Sequence, residues 1–156
     1  MIDLNRLTEE ELIDRLSQLR FLKIELKQLE QKVRRLEQIV EQRKNLTKKM
    51  IDDGESWEDI SRFVEPVFDT YLSSKRFVCE YMEEYRQLTQ FIFSLGDSKI
   101  RTILTERYMN GLTWKAIAFS IGEHDEQVPR RIHNQFIQAY IIGTTSNVRR
   151  KCIKSN

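Results

Sequence analysis

Gln127, Arg130, Arg131 and Asn134 lie close together near the C-terminal end of the chain. An arginine can hold O6 and N7 of guanine in a bidentate pair, and an asparagine or glutamine can do the same for N6 and N7 of adenine. Presented from one helix, these residue types suit the base edges of a major groove. Thr113, Lys115, Gln138, Arg149, Arg150, Lys151 and Lys154 bring hydroxyl, amide and cationic groups that suit phosphate oxygens instead. Charge is distributed to match. Residues 1–98 hold 16 Lys/Arg against 20 Asp/Glu, a net −4, while residues 99–156 hold 10 against 4, a net +6. Such asymmetry points to a nucleic-acid-binding end, with double-stranded DNA as the expected partner.

Other chemistry is poorly represented. His124 and His133 are the only histidines, one expected in a turn and one on a helix surface, with no acid or thiol at ligand spacing. Cys79 and Cys152 lack a CxxC spacing, so neither a zinc site nor a disulfide framework is expected. Asp52-Asp53-Gly54 lacks the alternating oxygens and closing glutamate of a calcium loop, and no Gly-rich phosphate loop occurs. The reading is therefore a non-enzyme with no metal, no cofactor and no small-molecule substrate. No run approaches the ~20 apolar residues of a membrane span, and Met1-Ile2-Asp3-Leu4-Asn5-Arg6 has no signal-peptide core. A reducing, cytoplasmic setting is expected.

The elements that must carry these residues are helical. Five Gly and two Pro in 156 residues leave few sharp turns, so long uninterrupted helices are expected. Thr8 with Glu11 spells a capping box. Beyond it Leu19, Leu22, Leu26, Leu29, Val33, Leu36 and Val40 follow a heptad, flanked by Lys23, Glu25, Glu30, Lys32 and Glu37. Turn formers cluster at Asp52-Asp53-Gly54-Glu55-Ser56. Ser56 caps a short segment, and Pro66 suits the first turn of a second heptad series: Val67, Tyr71, Ser74, Val78, Tyr81, Tyr85, Leu88, Ile92 and Leu95. Residues 1–96 thus read as an antiparallel helical hairpin, a coiled coil with arms of about 30–40 residues. Its Tyr-rich second seam leaves apolar area for a partner, so a homodimer through this region is expected, with a monomeric three-layer helical bundle as the open alternative.

Residues 97–142 read as three short helices. Gly96-Asp97-Ser98 caps Lys99 to Met109, whose Ile100, Ile103, Leu104 and Tyr108 share a face, and Asn110-Gly111 stops it. Thr113 caps Trp114 to Ile121, and Gly122 supplies the left-handed residue that ends it. A third helix runs from about Glu126 to Ile142 with Asp125 or His124 as cap, its Val128, Ile132 and Phe136 facing inward. Pro129 falls in its first turn, where its missing N–H costs nothing. Glu123, Asp125 and Glu126 put acid beside the reading edge and should repel phosphates. Residues 143–156 read as a basic flexible tail.

The run Glu106-Arg107-Tyr108-Met109-Asn110-Gly111-Leu112-Thr113-Trp114-Lys115-Ala116-Ile117-Ala118-Phe119-Ser120-Ile121-Gly122, with Val128 six residues on, resembles region 4 of bacterial sigma factors. More narrowly it is similar to small phage-encoded transcription regulators, including the ArpU-like late regulators. The resemblance covers about a third of the chain and departs from the family at Ala116, where glutamate is common. It implies an all-α protein ending in a helix-turn-helix, phage or prophage encoded, acting in the bacterial host cytoplasm as a sequence-specific transcription regulator that also contacts RNA polymerase. Two alternatives stay open: a small terminase-like DNA-packaging adaptor, and a protein-binding module with a degenerate helix-turn-helix.

Overall fold

The computed structural model describes residues 7–153, with side chains described for 7–143. Among them every regular element is helical: α1 Glu9–Asp52, α2 Trp57–Ser94, α3 Ser98–Leu104, a π-helical turn Thr105–Met109, α4 Trp114–Ser120 and α5 Gln127–Ile153. No helix of the described residues is long and apolar enough to cross a membrane.

Local chemistry sets the helix ends. At α1 the capping box closes reciprocally: Thr8 N–H donates to Glu11 Oε2 (2.8 Å) and Glu11 N–H to Thr8 Oγ1 (3.3 Å). The backbone N–H of Thr8 is the main reason the Glu11 carboxyl is held below its ordinary pKa. Gly54, at φ +76°, breaks the chain between α1 and α2 where the turn formers cluster. Ser56 Oγ then accepts from Asp59 N–H (3.2 Å) at the start of α2.

Pro66 was expected at a helix start, yet it lies inside α2, which runs unbroken from Trp57. Its ring removes one ladder hydrogen bond, a cost of about 3 kcal/mol in an ordinary helix interior. Contacts to α1 hold that stretch. Ile60 is buried, Arg43 of α1 lays its guanidinium 4.3 Å from the Phe63 ring centroid, and Arg43 Nη1 donates to the Phe63 carbonyl.

Described residues up to Leu22 and from Glu84 onward form one compact unit, and Lys23–Glu83 forms a second. The division therefore does not follow the expected boundary at residues 96 and 97. In the second unit α1 and α2 run antiparallel, with Tyr71 Oη donating to Glu37 Oε1 (3.1 Å) and Arg43 meeting Phe63. The heptad residues face inward there, although only Leu26, Ile60 and Ser74 are buried and most of the seam is half-buried.

The first unit has the fuller core. Leu12, Leu16, Leu19, Leu88, Ile92, Ile103, Leu104, Ile117 and Ile137 are all fully buried, each worth roughly 1.5–3 kcal/mol of apolar burial. Two paired helices cannot enclose side chains this completely, so helices from the C-terminal region must cover the ends of α1 and α2. Phe91 of α2 meets Tyr140 of α5 edge-on at 5.1 Å, and Arg20 of α1 rests against Gly111. A salt bridge between Arg15 and Glu84 (2.9 Å) closes the α1–α2 end of this unit.

Candidate functional site

Asp97 begins the segment, its Oδ1 accepting from Lys99 N–H (2.8 Å) and Ile100 N–H (3.2 Å). Ile100, Ile103, Leu104 and Tyr108 are buried on one face, as their spacing predicts. The helix does not stay α-helical to Met109, however. Its last turn widens so that Asn110 N–H reaches back to Thr105 O (3.1 Å), and Tyr108 stays inward at its end. Gly111, at φ +69°, then reverses the chain.

Thr113 Oγ1 accepts from Ala116 N–H (3.3 Å) and starts α4. Its C-terminus closes with Glu123 N–H on Ala118 O (2.8 Å) and Gly122 N–H on Phe119 O (3.2 Å), with Gly122 at φ +78°. This is the paired bond pattern of a Schellman turn, and only a glycine enters its left-handed position freely. Asp125 Oδ1 next accepts from Gln127 N–H (2.9 Å) and starts α5. Ile117 and Ala118 are the buried residues of α4, which contacts α5.

Two expectations about α5 need correction. The inward stripe is Pro129, His133 and Ile137, while Val128, Ile132 and Phe136 are half-buried flanks. The helix is thus turned by about one residue, because Tyr108 and Trp114 supply a polar, aromatic seat that an imidazole fills better than an isoleucine would. His133, expected on the surface, is buried at 3% exposure. The helix also continues to Ile153 rather than ending at Ile142. Gly143 does not stop it, since it lacks the positive φ that Gly122 adopts.

His133 is the centre of the site. Its Nδ1 lies 2.8 Å from Asn134 Oδ1 and its Nε2 lies 2.7 Å from Tyr108 Oη. An amide oxygen only accepts, so Nδ1 carries the proton and Nε2 accepts the Tyr108 O–H. Burial supports that assignment from both ends. It pushes the Tyr108 hydroxyl up to about 12, keeping it a donor, and pulls His133 below its ordinary value, keeping it neutral. The hydrogen bond to Asn134 opposes the shift in His133, and the Arg107 charge adds to it. Trp114 meets the imidazole edge-on at 5.2 Å, and its ring also lies 4.8 Å from the Arg107 guanidinium and 6.0 Å from that of Arg130.

Gln127, Arg130, Arg131, Asn134 and Gln138 are all exposed on α5. Trp114 brings the start of α4, with exposed Thr113 and Lys115 beside it, next to the turn of α5 that holds Arg130 and Asn134. Asn134 is not a free fork. With Oδ1 held against the imidazole, its amide N–H groups are the end left for a ligand. Two of the acids lose much of their expected effect: Glu123 is paired with Lys99 Nζ (3.3 Å) and Asp125 is engaged as a helix cap. The side chains of Arg149, Arg150 and Lys151, and all of Lys154, lie outside the described residues.

Tyr108, His133, Trp114 and Arg107 are the site residues that sequence reasoning missed as participants. Arg107, Tyr108 and Trp114 stand in the motif run, but nothing in the spacing says that a histidine 25 positions beyond Tyr108 would accept its hydrogen bond. Among the described residues no group of His, Cys, Asp or Glu is arranged to hold a metal ion. Comparison with protein-family models, with curated proteins and with solved structures gives no match.

Proposed function

We propose that the chain is a sequence-specific double-stranded DNA-binding transcription regulator of phage or prophage origin, in which α4 and α5 act as a helix-turn-helix. The observation that carries this reading is the exposed row Gln127, Arg130, Arg131 and Asn134 on a helix whose rotation is fixed from behind by the Tyr108–His133 hydrogen bond. Base readout requires donors held in a defined register, and a buried, fully partnered imidazole supplies that better than apolar packing alone. Arg130 and Arg131 serve as guanine forks, Asn134 donates to a purine N7 or a guanine O6, and Gln127 reads a neighbouring base. Thr113, Lys115 and Gln138 contact phosphate. The α1–α2 pair acts as a coiled coil that joins two copies, and RNA polymerase is the expected protein partner.

Selection of bound fragments from random duplex DNA at physiological salt tests the reading. Enrichment of a palindromic site supports it together with the dimer, and no enrichment overturns it. An Arg130→Ala, Arg131→Ala variant should keep its helicity and lose discrimination between the selected site and random DNA.

A second reading, docking on a protein, is favoured by one observation. Phe119 on α4 is 79% exposed, an unusual place for an aromatic ring without a partner. A Phe119→Ser variant that binds DNA normally but fails to activate or repress would assign that ring to the protein contact.

A further inference from the structure

Arg15, Lys44, Arg62, Arg76 and Lys99 each have a carboxylate at hand. Arg20 and Arg107 do not, and they line the same cleft. It has a volume of about 200 Å³ and is walled by Ser17, Arg20 and Phe21 of α1 and by Arg107, Tyr108 and Gly111. No acid is among its walls.

The donors in this cleft can be counted out. Ser17 Oγ donates to Ile13 O (2.7 Å), so its hydrogen is spent within its own helix. Tyr108 gives its hydrogen to His133. What remains is the guanidinium of Arg20, exposed and 5.1 Å from the Phe21 ring centroid, and that of Arg107. One Arg107 nitrogen, Nη1, is anchored on Leu112 O (3.0 Å) while the cation stacks on Trp114, which fixes the plane but uses few of its five N–H groups. Gly111 makes room. A Cβ at that position would sit 2.7 Å from Arg20 Cδ, so the lack of a side chain lets the arginine lie across the turn.

Two guanidinium groups in one concave site, with N–H groups to spare and no carboxylate among the walls, call for an oxyanion with several acceptor oxygens. We propose that Arg20 and Arg107 together form a phosphate-binding cleft. Phosphate suits it better than a carboxylate, because it offers acceptor oxygens in more than one plane to two arginines held on different elements. The adjoining Trp114 also carries Thr113 and Lys115 on either side, which places the cleft at the edge of the proposed DNA-binding surface. Assigning the phosphate to a DNA backbone rests on that functional reading; the cleft itself does not. In that assignment α1 would extend the footprint beyond α4 and α5.

The test uses the full chain carrying Trp57→Phe, so that Trp114 is the sole tryptophan and reports on the Arg107 stack. Inorganic pyrophosphate is titrated against chloride at equal ionic strength. The expected result is a saturable change in Trp114 emission, about tenfold weaker in Arg20→Gln, in keeping with the loss of one charge-assisted contact. Absence of a saturable change, or an Arg20→Gln curve superimposable on the parent, would overturn the proposal. Arg107→Gln should be weaker still; should it lose helicity, the exposed Arg20 carries the decision.

Duplex DNA then separates the two sources of phosphate. If duplex displaces pyrophosphate and Arg20→Gln lowers the slope of log affinity against log salt by about 0.9, the ligand is a backbone phosphodiester. If pyrophosphate binds and duplex does not displace it, the cleft stands as a site for a small phosphorylated compound, and only its assignment to DNA falls.

Discussion

Tyr108→Phe removes a single hydroxyl and keeps the ring that lies 5.7 Å from the His133 imidazole. The 2.7 Å hydrogen bond to Nε2 disappears, and a buried acceptor is left with no donor. Leaving such a group unpaired costs about 1–3 kcal/mol. With a urea m-value of roughly 1–3 kcal/mol/M, the denaturation midpoint should fall by about 1 M at unchanged slope. The acid side provides a second readout. In the parent protein the folded-state pKa of His133 lies below its unfolded value of 6.5, so the folded form binds fewer protons. Stability is therefore full above about pH 6.5 and declines as pH falls from there toward the depressed folded value, by at most about 1.4 kcal/mol per pH unit. Burial is the main cause of that depression and Tyr108→Phe leaves it in place, so the acid sensitivity should persist in the variant. Urea titrations of both proteins between pH 5 and 8 measure the two effects together. An unchanged midpoint at pH 7.5, or a parent protein whose stability does not decline on the acid side, would refute the assignment of Tyr108 as donor and His133 as neutral acceptor. Imidazole nitrogen NMR would refute it independently by finding the proton on Nε2.

Further expectations concern the scaffold. Gly111→Ala places a Cβ at φ +69° and should cost about 1–2 kcal/mol, whereas Gly96→Ala, with open space around the glycine and no positive φ, should cost far less; thermal melts of the pair measure the difference. Asp97→Ala strips the cap from Lys99 and Ile100 N–H and should lower stability by about 0.5–2 kcal/mol, with Asp97→Asn recovering most of it. Ile103→Ala, at a fully buried position, should cost about 2–5 kcal/mol, read as a lower denaturation midpoint, while Ile39→Ala on an exposed stretch of α1 should change little. At high pH the sign reverses from the histidine case. Tyr108, raised to about 12 in the fold, keeps its proton when the unfolded chain has lost it, so stability should fall as pH rises from about 10 to 12, and Tyr108→Phe should abolish that portion of the alkaline loss.

Sequence alone determined the features that depend on neighbours a few positions apart. The Thr8–Glu11 capping box, the turn at Gly54, the stop at Gly111, the Thr113 cap and the left-handed Gly122 all follow from backbone hydrogen bonding and φ preferences, which act within about a helical turn. The heptad spacing likewise told which faces of α1 and α2 turn inward. What tertiary structure decided was everything that depends on which distant group arrives. Periodicity placed Val128, Ile132 and Phe136 inward because they are apolar at helical spacing, but the buried stripe of α5 takes in His133, which meets Tyr108 and Trp114. The same holds for Pro66, which only the packing of α2 against α1 keeps within a continuous helix, and for Arg20, whose place beside Arg107 arises when α1 folds back against the turn at Gly111. Local rules fix where helices begin and end; the side chains that share a site are chosen by long-range packing, which no short stretch of sequence contains.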